Sequence, residues 1–141
     1  MNITEELKKS FLFFDGGTGS VLQSKGLQPG QRPEDWNLSQ PDKIIALHTD
    51  YLRAGCNIIK TNTFGVNRLR FGDSVAEVVC AALKNARSAI CATDDLPQKR
   101  FVALDIGPCG RLLKPLGDLD FEDAVALKSF TIRAMSASYC W

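Results

Sequence analysis

The stretch FLFFDGGTGS, residues 11–20, decides how the rest of the chain is read. Four apolar residues end at an acid, and Asp15 is followed by two glycines, a threonine and a third glycine. A short run rich in aromatic residues that stops on turn-forming ones predicts a strand. Its unbroken apolarity predicts burial on both faces, as in a parallel sheet. Two other runs have this character, residues 57–61 (NIIKT) and 101–106 (FVALDI), and each ends on Gly, Asn, Thr or Pro.

Helical patterns separate these runs. Residues 41–54 carry Ile44, Ile45, Leu47, His48, Tyr51 and Leu52 on one broad stripe, with Ser39 available as a cap before it and Gly55 placed to end it. Residues 74–93 repeat the pattern with Val75, Val78, Val79, Ala82, Leu83, Ala86 and Ile90. Asp120 is placed to cap a third helix over residues 121–138, and a shorter helix is expected over residues 18–25, ended by Gly26. Residues 28–39 read as a long loop. Strands alternating with helices imply a parallel sheet joined by right-handed crossovers. A closed eight-stranded barrel needs about 250 residues, so 141 residues fit either a small open α/β fold or the start of a barrel.

Composition narrows the function classes. Seventeen basic residues nearly balance sixteen acidic ones, and no Lys/Arg block stands out, which argues against a nucleic-acid partner held by phosphate neutralisation. No apolar stretch approaches the roughly 18 residues of a membrane span. The polar start MNITEELKKS lacks the apolar core of a secretory signal, so a cytoplasmic location is expected. The five cysteines, Cys56, Cys80, Cys91, Cys109 and Cys140, include no C-x-x-C pair and read as reduced, mostly buried thiols. Cys80 and Cys91 share a helix face about 16 Å apart, too far to share a metal.

In parallel α/β folds ligands bind beyond the carboxyl ends of the strands. Asp15, Gly16, Gly17, Thr18 and Gly19, then Thr61, Asn62 and Thr63, then Gly107 and Pro108, lie there. A dinucleotide loop is a poor match, because counting G-x-G-x-x-G from Gly17 puts Leu22 at the third glycine. Asp15 would also repel a phosphate. A carboxylate beside free amides suits a zwitterion: Asp15 takes an ammonium group, and the amides near Gly16 to Thr18 at a helix start take a carboxylate. The same residues fit a plainer reading, in which Asp15 caps the helix and the glycines make a tight turn.

The segments FFDGGTGSVLQSKGL, PEDWNLSQP, LHTDYLRAGCNIIKTNTFGVN and IGPCGRLLKPLGDLDFEDAV together resemble the homocysteine S-methyltransferase family, with the greatest similarity to the N-terminal homocysteine-binding module of its cobalamin-dependent methionine synthase branch. The resemblance implies that residues 1–141 are one incomplete domain, the first three β/α units of a TIM (β/α)8 barrel. It implies homocysteine bound at the upper rim by Asp15, Gly16, Gly17 and Thr18, with Thr61, Asn62, Thr63 and Gly107 lining the pocket. In the family a zinc ion held by three cysteines on later strands binds the substrate sulfur, and methylcobalamin recharged by methyltetrahydrofolate supplies the methyl group. Those segments have no counterpart here, and the five cysteines do not match them. The expectations are therefore no catalytic or metal-binding residue in this chain, no cofactor bound by it alone, and an inactive fragment whose partners are homocysteine and the missing barrel or its cobalamin and folate modules. Two alternatives stand beside this one: a non-catalytic module that completes its barrel with another chain, and a betaine- or sulfonium-dependent homocysteine methyltransferase.

Four further residues carry expectations. His48 reads as packed rather than catalytic. Trp36 is expected to pin the long loop to the barrel side. Asp105 is expected to face the interior, paired with a cation such as Lys60 or near the pocket. Arg111 and Lys114 belong to a solvated loop.

Overall fold

The computed structural model describes residues 2–137 as a mixed α/β unit in which helices cover one side of a small parallel sheet. The sheet has two strands, β1 (Ile58–Lys60) and β2 (Phe101–Ala103), paired in parallel with Ile59 opposite Val102. Both are shorter than the runs that predicted them, because the ladder between them ends at Lys60 and Ala103. The run at residues 11–14 is corrected more strongly. It contributes one parallel bridge, Phe14 to Ile58, rather than a third strand. Burial on both faces also fails there: Phe11, Phe13 and Phe14 are 89%, 64% and 58% exposed. The expected count of three β/α units thus resolves into two strands and a bridge.

Seven helices accompany the sheet among the described residues: α1 (Ile3–Leu7), α2 (Thr18–Ser24), α3 (Trp36–Ser39), α4 (Pro41–Arg53), α5 (Arg68–Phe71), α6 (Val75–Cys91) and α7 (Phe121–Ala137). The predicted long helices are present with ends moved by one or two residues, and the expected end of α7 at Ser138 lies outside the described residues. Ser39 does not cap α4. Its hydroxyl donates to the Asp35 carbonyl, while Gln40 is the N-cap and Pro41 takes the first helical position, where a missing N–H costs nothing. Gly55 ends α4 as expected, at a φ of 102° that side chains with a Cβ avoid. The expected loop at 28–39 holds a 3-10 turn at Pro33–Asp35 and α3, which the short spacing of Gly and Pro concealed.

Alternation along the strands sets the two faces of the sheet. Ile59 is buried among Leu52, Cys56, Ala86 and Ala89, with Val102 packed alongside, so these side chains point at α4 and α6. Leu104 packs with Phe71, Val75, Val79 and Ala134 on the same side. Successive strand residues point to opposite faces, so Ile58, Lys60, Ala103 and Asp105 look the other way, toward what would be the interior of a barrel. Trp36 pins its segment as expected: it is buried with Leu22, Leu27, Ile44 and Leu47, and the Lys43 ammonium lies 4.6 Å from its ring. His48 is packed too, fully buried on α4.

Candidate functional site

Asp15 follows the bridging Phe14 directly, and its position is fixed by main-chain bonding. Its amide donates to the Ile58 carbonyl at 2.9 Å. Its Oδ2 accepts the Lys60 amide at 2.9 Å, and the Lys60 Nζ lies 3.5 Å from Oδ1. The carboxylate therefore sits at the carboxyl end of β1, on the face turned away from the helices. Its side chain is 0% exposed and that of Lys60 is 34% exposed. Oδ1 is buried and receives no hydrogen bond among the described residues. Burial raises the Asp15 pKa above its ordinary value, against the lowering effect of the Lys60 amide and ammonium; the Asp105 charge adds a smaller upward push.

The plainer reading of Asp15 as a helix cap is not realised. Gly17 is the N-cap of α2, and no side chain caps that helix. The amides of Gly16 and Gly17 donate to no acceptor among the described residues, and those of the first turn of α2 have no intrahelical partner. Gly16 and Gly17 are exposed, and Thr18 is half-buried. The Tyr51 hydroxyl donates to the Gly17 carbonyl at 3.1 Å and crowds Gly16, where a Cβ would lie 2.9 Å from its oxygen. An open depression of about 440 Å³ lies beside Gly16, lined also by Phe13, Phe14, Tyr51 and Cys56 among others; neither Asp15 nor Gly17 lines it.

Thr61, Asn62 and Thr63 lie at the end of β1, all buried and all bonded to neighbouring chain. The Asp105 amide donates to Thr61 Oγ1 at 3.1 Å, and Thr63 Oγ1 donates to the Asp105 carbonyl at 2.8 Å. Thr63 thereby spends its only proton, so in the 2.7 Å contact between the two hydroxyls Thr61 is the donor. The result is a closed ring that ties the ends of β1 and β2 together. Asn62 donates to the Pro33 carbonyl at 2.8 Å, and its own carbonyl accepts from Asn37 at 2.7 Å. Gly107 is held by its neighbours: its amide donates to the Phe64 carbonyl at 2.9 Å, and its carbonyl accepts from Lys128. A Cβ at Gly107 would come within 2.5 Å of Phe64 O.

Asp105 shares the Lys60 face but not the ion pair, which goes to Asp15. Arg111 and Lys114 pair with Asp118 and Asp120 in an exposed loop, as expected of a solvated segment. Two participants were not singled out as site residues by the sequence reading. Lys60 was legible as a cation near the strand end, but its choice of Asp15 over Asp105 was not. Glu34 is buried, accepting the Gly65 amide at 2.6 Å through Oε1 while Oε2 has no donor among the described residues. Nothing in the local sequence separates Glu34 from a solvated acid.

Among the described residues no three His, Cys, Asp or Glu side chains are grouped to hold a metal. Cys56 and Cys109 are buried, while Cys80 and Cys91 are exposed, so the expectation of mostly buried thiols holds for half of them; Cys140 lies outside the described residues. Burial, helped by the Asp15 charge, pushes the Cys56 thiol up to about 11, opposite to the thiolate a zinc ligand must be. The described residues therefore do not fit the family's zinc. No helix among them is long and apolar enough to cross a membrane.

A family model described as homocysteine S-methyltransferase matches residues 12–139. Among solved structures, the homocysteine methyltransferase MmuM from Escherichia coli is similar in fold. Its metallated form matches with a TM-score of 0.80 at 18% identity, over 97% of this chain and 54% of that one. Its oxidized form matches at a TM-score of 0.79 and 19% identity, over 94% and 52%. The chain thus spans about half the length of the solved structures it matches, and its fold is like part of the homocysteine methyltransferase barrel.

Proposed function

The chain belongs to the homocysteine S-methyltransferase family, and from that premise we propose that it supplies the substrate-positioning part of a methyltransferase of the methionine synthase type. On this reading it holds homocysteine for a methyl transfer that yields methionine. The observation that carries the reading is the Asp15 carboxylate: buried, at a strand's carboxyl end, with one oxygen lacking a donor and bare amides one residue away. An ammonium group satisfies that oxygen and offsets the cost of burying a charge. The Gly16 and Gly17 amides and the first turn of α2 take the carboxylate of the same molecule. The ring formed by Thr61, Thr63 and Asp105 keeps the strand ends in register beneath the ligand, with Asn62 and Gly107 fixing the flanking loops. Zinc in this family activates the substrate's sulfur; on this reading that chemistry is supplied by partners of this chain, and the chain by itself positions the substrate without transferring the methyl group. A cytoplasmic location completes the reading.

Isothermal titration of homocysteine into the chain and into Asp15→Asn tests it. Loss of one charge-assisted bond predicts binding weakened by about tenfold or more in the variant. Equal affinity for both proteins would remove Asp15 from the site.

A second reading has its own observation. Phe11, Phe13 and Phe14 are exposed in the segment that bridges to β1, which favours association with another chain that completes the sheet.

A further inference from the structure

The Asp15–Lys60 pair is laid out head to tail as a zwitterion is, with an anion and a cation side by side. Resting on the homocysteine reading, we infer that Lys60 is a specificity-determining residue, which leaves Asp15 to the ligand's ammonium and joins the Gly16 and Gly17 amides in taking the ligand's α-carboxylate. Three observations carry this. Asp15 Oδ1 is fully buried and lacks a hydrogen-bond donor, since the Lys60 Nζ at 3.5 Å stands beyond good bonding distance. The cation nearest to that oxygen is therefore also the group a ligand ammonium must move aside to reach it. The Lys60 ammonium is the solvent-facing member of the pair, with its side chain 34% exposed, so its remaining donors are open to an incoming anion. Finally, Lys60 and Asp105 look to the same face, away from α4 and α6, so an anion arriving there meets an acid as well as a cation. Only a ligand that brings its own cation to Asp15 frees Lys60 without leaving a buried carboxylate unpaired.

The exchange selects for amino acids over simple amines and over simple acids. An amine alone displaces Lys60 and leaves it without a partner. An acid alone draws Lys60 away and strands Asp15. A molecule carrying both groups on one carbon replaces one ion pair by two.

The test compares homocysteine with its decarboxylated form, aminopropanethiol, by isothermal titration against the chain, Lys60→Met and Lys60→Arg. Lys60→Met is expected to weaken homocysteine by about tenfold or more while leaving aminopropanethiol binding as tight or tighter, since no lysine then has to be displaced from Asp15. Lys60→Arg, which keeps the charge, is expected to restore most of the homocysteine affinity. Lys60→Gln, which retains a donor near Asp15, carries the same comparison where Lys60→Met does not fold. Equal weakening of both ligands would reduce Lys60 to a support for the Asp15 charge and overturn the exchange. So would unchanged homocysteine binding in a folded variant. Failure of the unsubstituted chain to bind homocysteine at all would instead overturn the underlying reading of the site, and the exchange with it.

Discussion

Two buried titratable side chains set opposite demands. His48 lies on α4 with both ring nitrogens buried and without a hydrogen bond among the described residues, and burial lowers its pKa to about 4. A base whose folded pKa is below its unfolded value of 6.5 gives up protons on folding. Stability is therefore full above about pH 6.5 and falls as pH drops toward 4, by about 3 kcal/mol at the low end. Asp15 works the other way. Its raised pKa means that folding favours the protonated acid, a contribution present at low pH and lost as pH rises through the folded value. Replacing His48 by Leu removes the first effect and leaves the second. The expected outcome in urea titrations is that His48→Leu flattens the acid limb between pH 6.5 and 4 and is neutral or stabilising at pH 7, because no polar atom is left unsatisfied. An acid limb as steep as that of the unsubstituted chain would remove His48 as its cause.

At the scale of elements, the ring of hydroxyls at the strand ends does what three-residue strands cannot. β1 and β2 offer few ladder bonds of their own, and Thr61 and Thr63 add a ring of three bonds, two of which lock the end of β1 to Asp105 on the chain leaving β2. Thr63→Val keeps the shape and removes two of them, with an expected cost of about 1–3 kcal/mol; chemical denaturation that finds no loss would show the ring to be slack. The long helices were legible because their apolar residues repeat at the helical period on faces that are in fact buried, as with Val75, Val79 and Ala86. The first strand was not, because four apolar residues in a row announce a buried strand only when elements lie on both sides, and Phe13 has none over it among the described residues. The place of Asp15 at a strand's exit was legible from the apolar run before it and the glycines after it. Its bond to the Lys60 amide, 45 positions away, depends on how the bridge registers on β1, which no local pattern encodes.

The whole molecule is an α/β unit with one face of its sheet packed and the other turned outward. Apolar side chains left on that scale, Phe11, Phe13, Leu112, Leu116 and Phe121 among them, favour self-association. Size-exclusion chromatography at rising concentration is expected to show species larger than a monomer, reduced by Phe13→Lys; a monomer at every concentration would set aside the second functional reading. The arrangement of donors sets another expectation. With no three metal-binding side chains together among the described residues, zinc is expected to bind the chain weakly and without fixed stoichiometry, and stoichiometric sub-micromolar binding would contradict this. The central claim is that an amino acid is gripped at Asp15, and its most direct test is a crystal structure of the chain with homocysteine. The account predicts the ligand nitrogen within about 3 Å of Asp15 Oδ1, at the carboxyl end of β1. Homocysteine seated at the opposite end of the strands, or with its nitrogen turned away from Asp15, would contradict it.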